Sequence, residues 1–120
     1  MKHNGYTCGL EAALDVVNGK WKPLILRALR ESPVRYGVVR RTVAGISDKV
    51  LIQHLRELEA DEVIARKDFD AIPPRVEYSL TPFGVTLVEN LLPLCEWGFE
   101  NMARIERIKG RGRAAESKAG

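Results

Sequence analysis

Residues 36–60 read YGVVRRTVAGISDKVLIQHLRELEA, and this stretch decides the fold. Its second half places Leu51, Leu55 and Leu58 at i, i+4 and i+7, the spacing of one buried helical stripe. Ser47 stands just before that stripe and supplies a hydroxyl that can accept an orphan N–H, so a helix is expected from Asp48 to about Ala60. The first half predicts a shorter helix over Tyr36 to Thr42, with Val39 and Val43 four apart and Arg40 and Arg41 turned outward. Ala44-Gly45 between the two is a turn signal. Two short helices joined by such a turn fit a helix-turn-helix.

Working outward, Leu10, Ala13, Leu14 and Val17 share one face of an expected helix from Leu10 to Val17, with Thr7 as its N-cap and Asn18-Gly19 as its stop. A second helix is expected from Trp21 to Glu31, with Trp21, Leu24, Ile25, Ala28 and Leu29 buried and Ser32-Pro33 ending it. Beyond the central stretch the period changes. Val63 to Phe69 and Arg75 to Leu80 alternate as strands do, around a loop at Asp70 to Pro74, and read as a β-hairpin. Thr81-Pro82 then starts a helix that reaches about Ile108, which Pro93 should kink or divide. The fold expected is mainly α with a small β-hairpin: a winged helix-turn-helix with N- and C-terminal dimerisation helices. Residues 1–108 form that domain, and 109–120, KGRGRAAESKAG, read as a basic, disordered tail.

The 120 residues suit one domain, and 45% hydrophobic with 29% charged residues is a globular composition. No apolar run approaches the roughly 20 residues of a membrane span, and the first residues lack a signal-type apolar stretch, so a cytoplasmic protein is expected. Cys8 and Cys95 cannot make a disulfide framework, and His3 and His54 stand at no metal-ligand spacing. Neither a metal nor a cofactor is expected. A Gly-rich phosphate loop, a GxSxG elbow and a base beside Cys8 are all missing, so no catalytic residue is assigned and an enzyme is not expected.

Net charge is only +3, but its distribution is uneven. Lys20, Lys22, Arg27, Arg30, Arg35, Arg40 and Arg41 fall together with the single acid Glu31 among them. On the second helix of the pair, Ser47, Lys49, Gln53 and Arg56 stand on or beside one polar face. These are side chains that can donate to guanine, pair with adenine or hold phosphate in a major groove. Ile52 on the same side would suit a thymine methyl, whereas Asp48 would face phosphate or complement the helix dipole. Arg66, Lys67 and Arg75 flank Pro73-Pro74 in the hairpin, where a backbone or minor groove could be met. An ordinary solvated helix face and a plain polar hairpin fit the same residues separately; the two features together are more specific.

From Cys8 to about Gly98 the chain resembles the HxlR-type winged-helix transcriptional regulators, relatives of the MarR group. The resemblance is carried by Cys8-Gly9-Leu10-Glu11, by GKWKPLIL at residues 19–26, by Arg35-Tyr36 and by Gly45-Ile46-Ser47. Leu51, LRELEAD at 55–61, PPRVEYSLT at 73–81 and Trp97-Gly98 continue it. It implies a dimeric DNA-binding repressor or activator on near-palindromic operators. By position it implies major-groove readers at Ser47, Lys49, Gln53 and Arg56, backbone contacts at Arg40 and Arg41, and wing contacts at Lys67 and Arg75. Two positions depart from the family pattern: Glu62 stands where glycine is usual, and Asp48 where a polar or basic residue is common.

The last helical region carries more apolar residues than one small core needs. Pairing with a second copy is preferred, with Leu10, Leu14, Leu91, Leu94, Trp97 and Met102 at the dimer interface, although simple roofing of the core uses the same residues. Cys8 begins the first helix, where the dipole favours a thiolate. Several family members have a sensing cysteine at this position, which makes Cys8 the redox-sensing candidate; an inert packed thiol is the alternative. Cys95 reads as a small core residue. Trp21, Trp97 and Phe99 would suit a small apolar effector, and tight packing explains them equally well. Double-stranded DNA, a second copy and a small-molecule or electrophile effector are therefore the partners expected. The competing readings are a winged helix used for protein–protein contacts and an effector-switched regulator with no redox role.

Overall fold

The computed structural model describes the backbone of residues 5–119 and the side chains of residues 5–110. The elements are α1 (Gly9–Val17), α2 (Trp21–Ala28), β1 (Val34–Arg35), α3 (Tyr36–Thr42), α4 (Asp48–Ala60), β2 (Ile64–Asp68), β3 (Val76–Leu80), α5 (Pro82–Glu100) and α6 (Met102–Ala119). The chain divides into two units, one up to Val88 and one from Glu89, with the boundary inside α5.

In the first unit the hydrophobic stripes meet. Val39 from α3 and Val43 at its end, Leu51, Leu55 and Leu58 from α4, and Ile25, Leu26 and Leu29 from the second helix and its end are all buried. Ser47 caps α4 as expected, its Oγ accepting from the Val50 N–H at 3.2 Å. Gly45 makes the turn between α3 and α4 with φ +88°, a conformation glycine adopts without steric cost. The hairpin pairs β2 with β3 from Ile64↔Leu80 to Asp68↔Val76. A strand the sequence does not announce, β1, pairs with the other edge of β3 through Val34↔Tyr78 and Arg35↔Glu77. Two residues are too few to show a period. The sheet is thus antiparallel, in the order β1-β3-β2.

Several local expectations are corrected. The residue capping α1 is Cys8 rather than Thr7, whose N–H donates to Glu11 Oε1 at 3.1 Å. Of the apolar face of α1 only Val17 is buried, while Leu10 and Leu14 are exposed. On α2 the buried set is Lys22, Ile25 and Leu26, and Leu24 is exposed. Helix α2 also ends at Ala28, earlier than Glu31: the Leu29 N–H is shared between the Ile25 and Leu26 carbonyls, and the Arg30 N–H turns to the i−3 carbonyl of Arg27. Pro93 does not divide the last helical region. Helix α5 continues past it to Glu100. The break falls at Asn101, whose side-chain amide donates to the Trp97 carbonyl at 2.9 Å, the acceptor its own N–H also uses. Helix α6 then runs to Ala119 through the segment expected as a disordered tail, where Ala, Arg, Glu and Lys favour helix. The side chains beyond Gly110 lie outside the described residues.

Glu62, where the resemblance implies glycine, has φ +63°. The Glu62 N–H donates to the Glu59 carbonyl at 3.0 Å and the Val63 N–H to the Leu58 carbonyl at 3.2 Å, with Leu58 and Val63 both buried. This is a Schellman ending for α4. Thr81 locks it, since its Oγ1 donates to the Glu62 carbonyl at 2.7 Å and accepts the Gly84 N–H at 2.9 Å.

Candidate nucleic-acid interface

The N-termini of α3 and α4 are joined by one carboxylate. Tyr36 Oη donates to Asp48 Oδ1 at 2.6 Å and Arg40 Nε donates to the same oxygen at 3.0 Å. Burial of the phenol, followed by its bond to Asp48, pushes the Tyr36 hydroxyl up to about 12. The bonds from Tyr36 and Arg40 hold the Asp48 carboxyl below its ordinary value. Asp48, which looks out of place in the sequence, is therefore the anchor that fixes the second helix of the pair against the first. Arg40, expected on the DNA backbone, shares its charge with that anchor.

The outward face of α4 presents Lys49, Ile52, Gln53 and Arg56 around one shallow recess that Glu57 completes. Ile52 is 40% exposed, so it is not a core residue. Gln53 Nε2 donates to Glu57 Oε2 at 3.2 Å, and Lys22 Nζ, reaching from α2, donates to Glu57 Oε1 at 2.8 Å. Those two bonds, the lysine's first, hold the Glu57 carboxyl below its ordinary value. Ser47 stands at the helix start with its oxygen occupied by the cap, so it is less free than Lys49 or Gln53 to meet a base. Arg41 is exposed on α3, outside the recess.

The hairpin is organised by Phe69, which sequence reasoning missed. Lys67 Nζ lies 4.7 Å and the Arg75 guanidinium 4.3 Å from its ring centroid, so one aromatic ring gathers the two expected wing contacts. Arg75 also pairs with Glu77 at 2.7 Å, and Arg66 with Asp68 at 3.5 Å. The tip carries Ile72, fully exposed. Between α4 and this hairpin runs a groove of about 800 Å³, lined among others by Arg35, Tyr36, Ile52, Arg56, Arg66 and Arg75.

The remaining expected residues belong to other elements. Cys8 is exposed at the start of α1, and Cys95 is half-buried in α5. Leu10 and Leu14 are exposed in the first unit; in the second, Leu94, Trp97 and Met102 are exposed and Leu91 is half-buried. Among the described residues no helix is long and apolar enough to cross a membrane.

The family described as HxlR-like helix-turn-helix matches residues 16–106. The chain is 44% identical over 93 residues to the uncharacterised HTH-type transcriptional regulator YkvN of Bacillus subtilis, covering 78% of this chain and 79% of that one. Among solved structures, the redox regulator HypR in its reduced form superposes with a TM-score of 0.78 at 39% identity, over 83% of this chain and 99% of that one. The reduced transcriptional regulator YodB from B. subtilis gives 0.67 at 30% identity, over 78% and 92%. HypR in its oxidised form and diamide-treated YodB match as well. With a winged helix-turn-helix built from its own residues and these likenesses across most of its length, the chain belongs to the HxlR-like helix-turn-helix family of transcriptional regulators.

Proposed function

We propose that the protein binds near-palindromic operators as a homodimer, one α4 entering the major groove of each half-site, through a single module spanning residues 1–108. The observation that carries this reading is the outer face of α4. Lys49, Ile52, Gln53 and Arg56 stand exposed together there, on a helix whose opposite side is wholly committed to the core. Lys49 and Gln53 are the proposed base readers with Ser47 and Arg56 beside them. Arg40 and Arg41 are the proposed backbone contacts, and Lys67 and Arg75 the wing contacts. The exposed apolar residues of α1 and α5, including Leu10, Leu14, Leu94 and Trp97, are the proposed meeting surface of two copies. The proposed place of action is the cytoplasm.

Cys8 is the proposed thiol switch. Its side chain is exposed at the first turn of α1, beside the proposed dimer surface. The likeness to HypR, a redox regulator by name, supports a thiol-based input.

The test is fluorescence anisotropy of the reduced protein with DNA from upstream of its own coding sequence and with a scrambled duplex. A preference of about a thousandfold is expected at near-physiological salt. Alkylating Cys8 should change the operator affinity of the wild type and leave Cys8→Ser untouched. Equal, weak binding to both duplexes sinks the operator reading, and unchanged affinity after alkylation sinks the switch.

A further inference from the structure

The groove between α4 and the hairpin collects four arginines, Arg35, Arg56, Arg66 and Arg75, against one lining carboxylate, Glu59. The four are not equivalent. Arg66 and Arg75 are paired with Asp68 and Glu77. Arg35 and Arg56 have no carboxylate partner among the described residues, and both are exposed. Arg35 stands in β1, where pairing with Glu77 of β3 fixes its backbone at the edge of the sheet. Arg56 comes from α4, one turn after Ile52, on the side of the helix that faces the hairpin.

The rest of the lining is apolar or aromatic, with Ile52, Pro74, Val76 and Tyr78. A channel with apolar walls and two uncommitted guanidinium groups matches a sugar–phosphate strand, which offers an apolar sugar face and a negatively charged oxygen pair at every step. Geometry gives the same answer. If α4 lies in the major groove and the hairpin reaches past its edge, the strand bordering that groove must pass between them.

We propose that Arg35 and Arg56 hold successive phosphates of one DNA strand in this groove. Arg35 is thereby an added DNA contact, and Arg56 grips the backbone instead of reading a base. Sequence discrimination on α4 then rests on Lys49, Gln53 and Ile52. This assignment rests on the DNA-binding reading and refines it.

The experiment measures anisotropy of Arg35→Gln, Arg56→Gln and the double variant across about 50–200 mM salt. Two duplexes are used: a site selected by the wild type from a random library, and a scrambled one. Because a dimer carries two copies of each arginine, each single substitution is expected to reduce the log–log salt slope by about 2 on both duplexes, and the double by about 4, with the preference between duplexes unchanged. Arg35→Lys, which keeps the charge, should restore the slope, and the melting temperatures should match the wild type. Loss of preference in Arg56→Gln with the slope intact would make Arg56 a base reader and overturn its assignment. An unchanged slope in Arg35→Gln would overturn that of Arg35. A wild type that binds neither duplex would instead remove the DNA reading itself.

Discussion

Lys22 Nζ meets Glu57 Oε1 at 2.8 Å, and the two ends of this ion pair are unequally wet: the lysine side chain is 5% exposed and the glutamate 43%. The ammonium has lost its water and depends on one carboxylate that retains some. Glu57→Gln should therefore lower the urea midpoint, because the buried charge keeps only a weaker neutral acceptor. Lys22→Met in the same background should recover part of the loss. The pH dependence has a fixed sign. The folded Glu57 carboxyl ionises below its ordinary 4.5. Its contribution is complete above that ordinary value and fades as pH falls through the lower folded one. Urea midpoints from about pH 6 down to pH 3 should fall for the wild type and flatten in Glu57→Gln; parallel curves would remove the pair from the stability account.

Tyr36 and Asp48 make a second prediction, on the alkaline side. Tyr36→Phe removes one donor to Asp48 and leaves Arg40 in place, so the expected cost is about 1 kcal/mol by chemical denaturation. The phenol, ordinarily at 10.0, is pushed up to about 12. A group raised in this way supports the fold fully below its ordinary value and loses that support as pH climbs to the folded one. An ultraviolet phenolate titration should show a late-ionising phenol, at about 12, that is missing from Tyr36→Phe. A late ionisation step that survives intact in Tyr36→Phe would contradict the hydrogen bond.

These two clusters mark where the sequence stops being readable. The Leu51, Leu55 and Leu58 stripe, the Ser47 cap and the alternation of the two long strands follow from local spacing, so α3, α4 and the hairpin are all visible in the chain. Lys22 appears as one basic residue among several, because nothing local says that its partner lies on another helix. Asp48 looks misplaced for the same reason: its donors, Tyr36 and Arg40, sit on the preceding helix. The two-residue β1 carries no period, and the hairpin's cation–aromatic stack needs a fold to bring Lys67 and Arg75 to Phe69.

Glu62 is a case where the sequence signals the place but not the outcome. It occupies a glycine position, and the backbone there keeps the left-handed conformation glycine would take, at φ +63°. Glu62→Gly should therefore stabilise the protein by about 1 kcal/mol, visible as a rise of a few degrees in melting temperature. The neighbouring Gly84 predicts the opposite. A Cβ there would stand 1.9 Å from the Val63 carbonyl oxygen, a backbone atom held in the same lock. Gly84→Ala should cost roughly 1–3 kcal/mol or more, since the start of α5 must move away from Val63. If the two substitutions shifted stability in the same direction, the Schellman ending and its Thr81 lock would not be the controlling feature.

The proposed dimer is testable at a residue that does no work in the described chain. Leu94 is 64% exposed on α5, so replacing it leaves the core of the first unit intact. If two copies meet there, each loses a leucine contribution of about 1.5–3 kcal/mol in Leu94→Glu, and twofold symmetry counts it twice. The dissociation constant should rise by roughly a hundredfold or more. Sedimentation equilibrium should then show a monomer at concentrations where the wild type is a dimer, with unchanged circular dichroism. Glu100→Ala, which removes only a solvated charge near the end of the same helix, should leave the mass of the wild type. Operator affinity should fall in Leu94→Glu as well, because the second half-site contact is no longer tethered to the first. A dimer that survives Leu94→Glu would move the interface away from this face of α5.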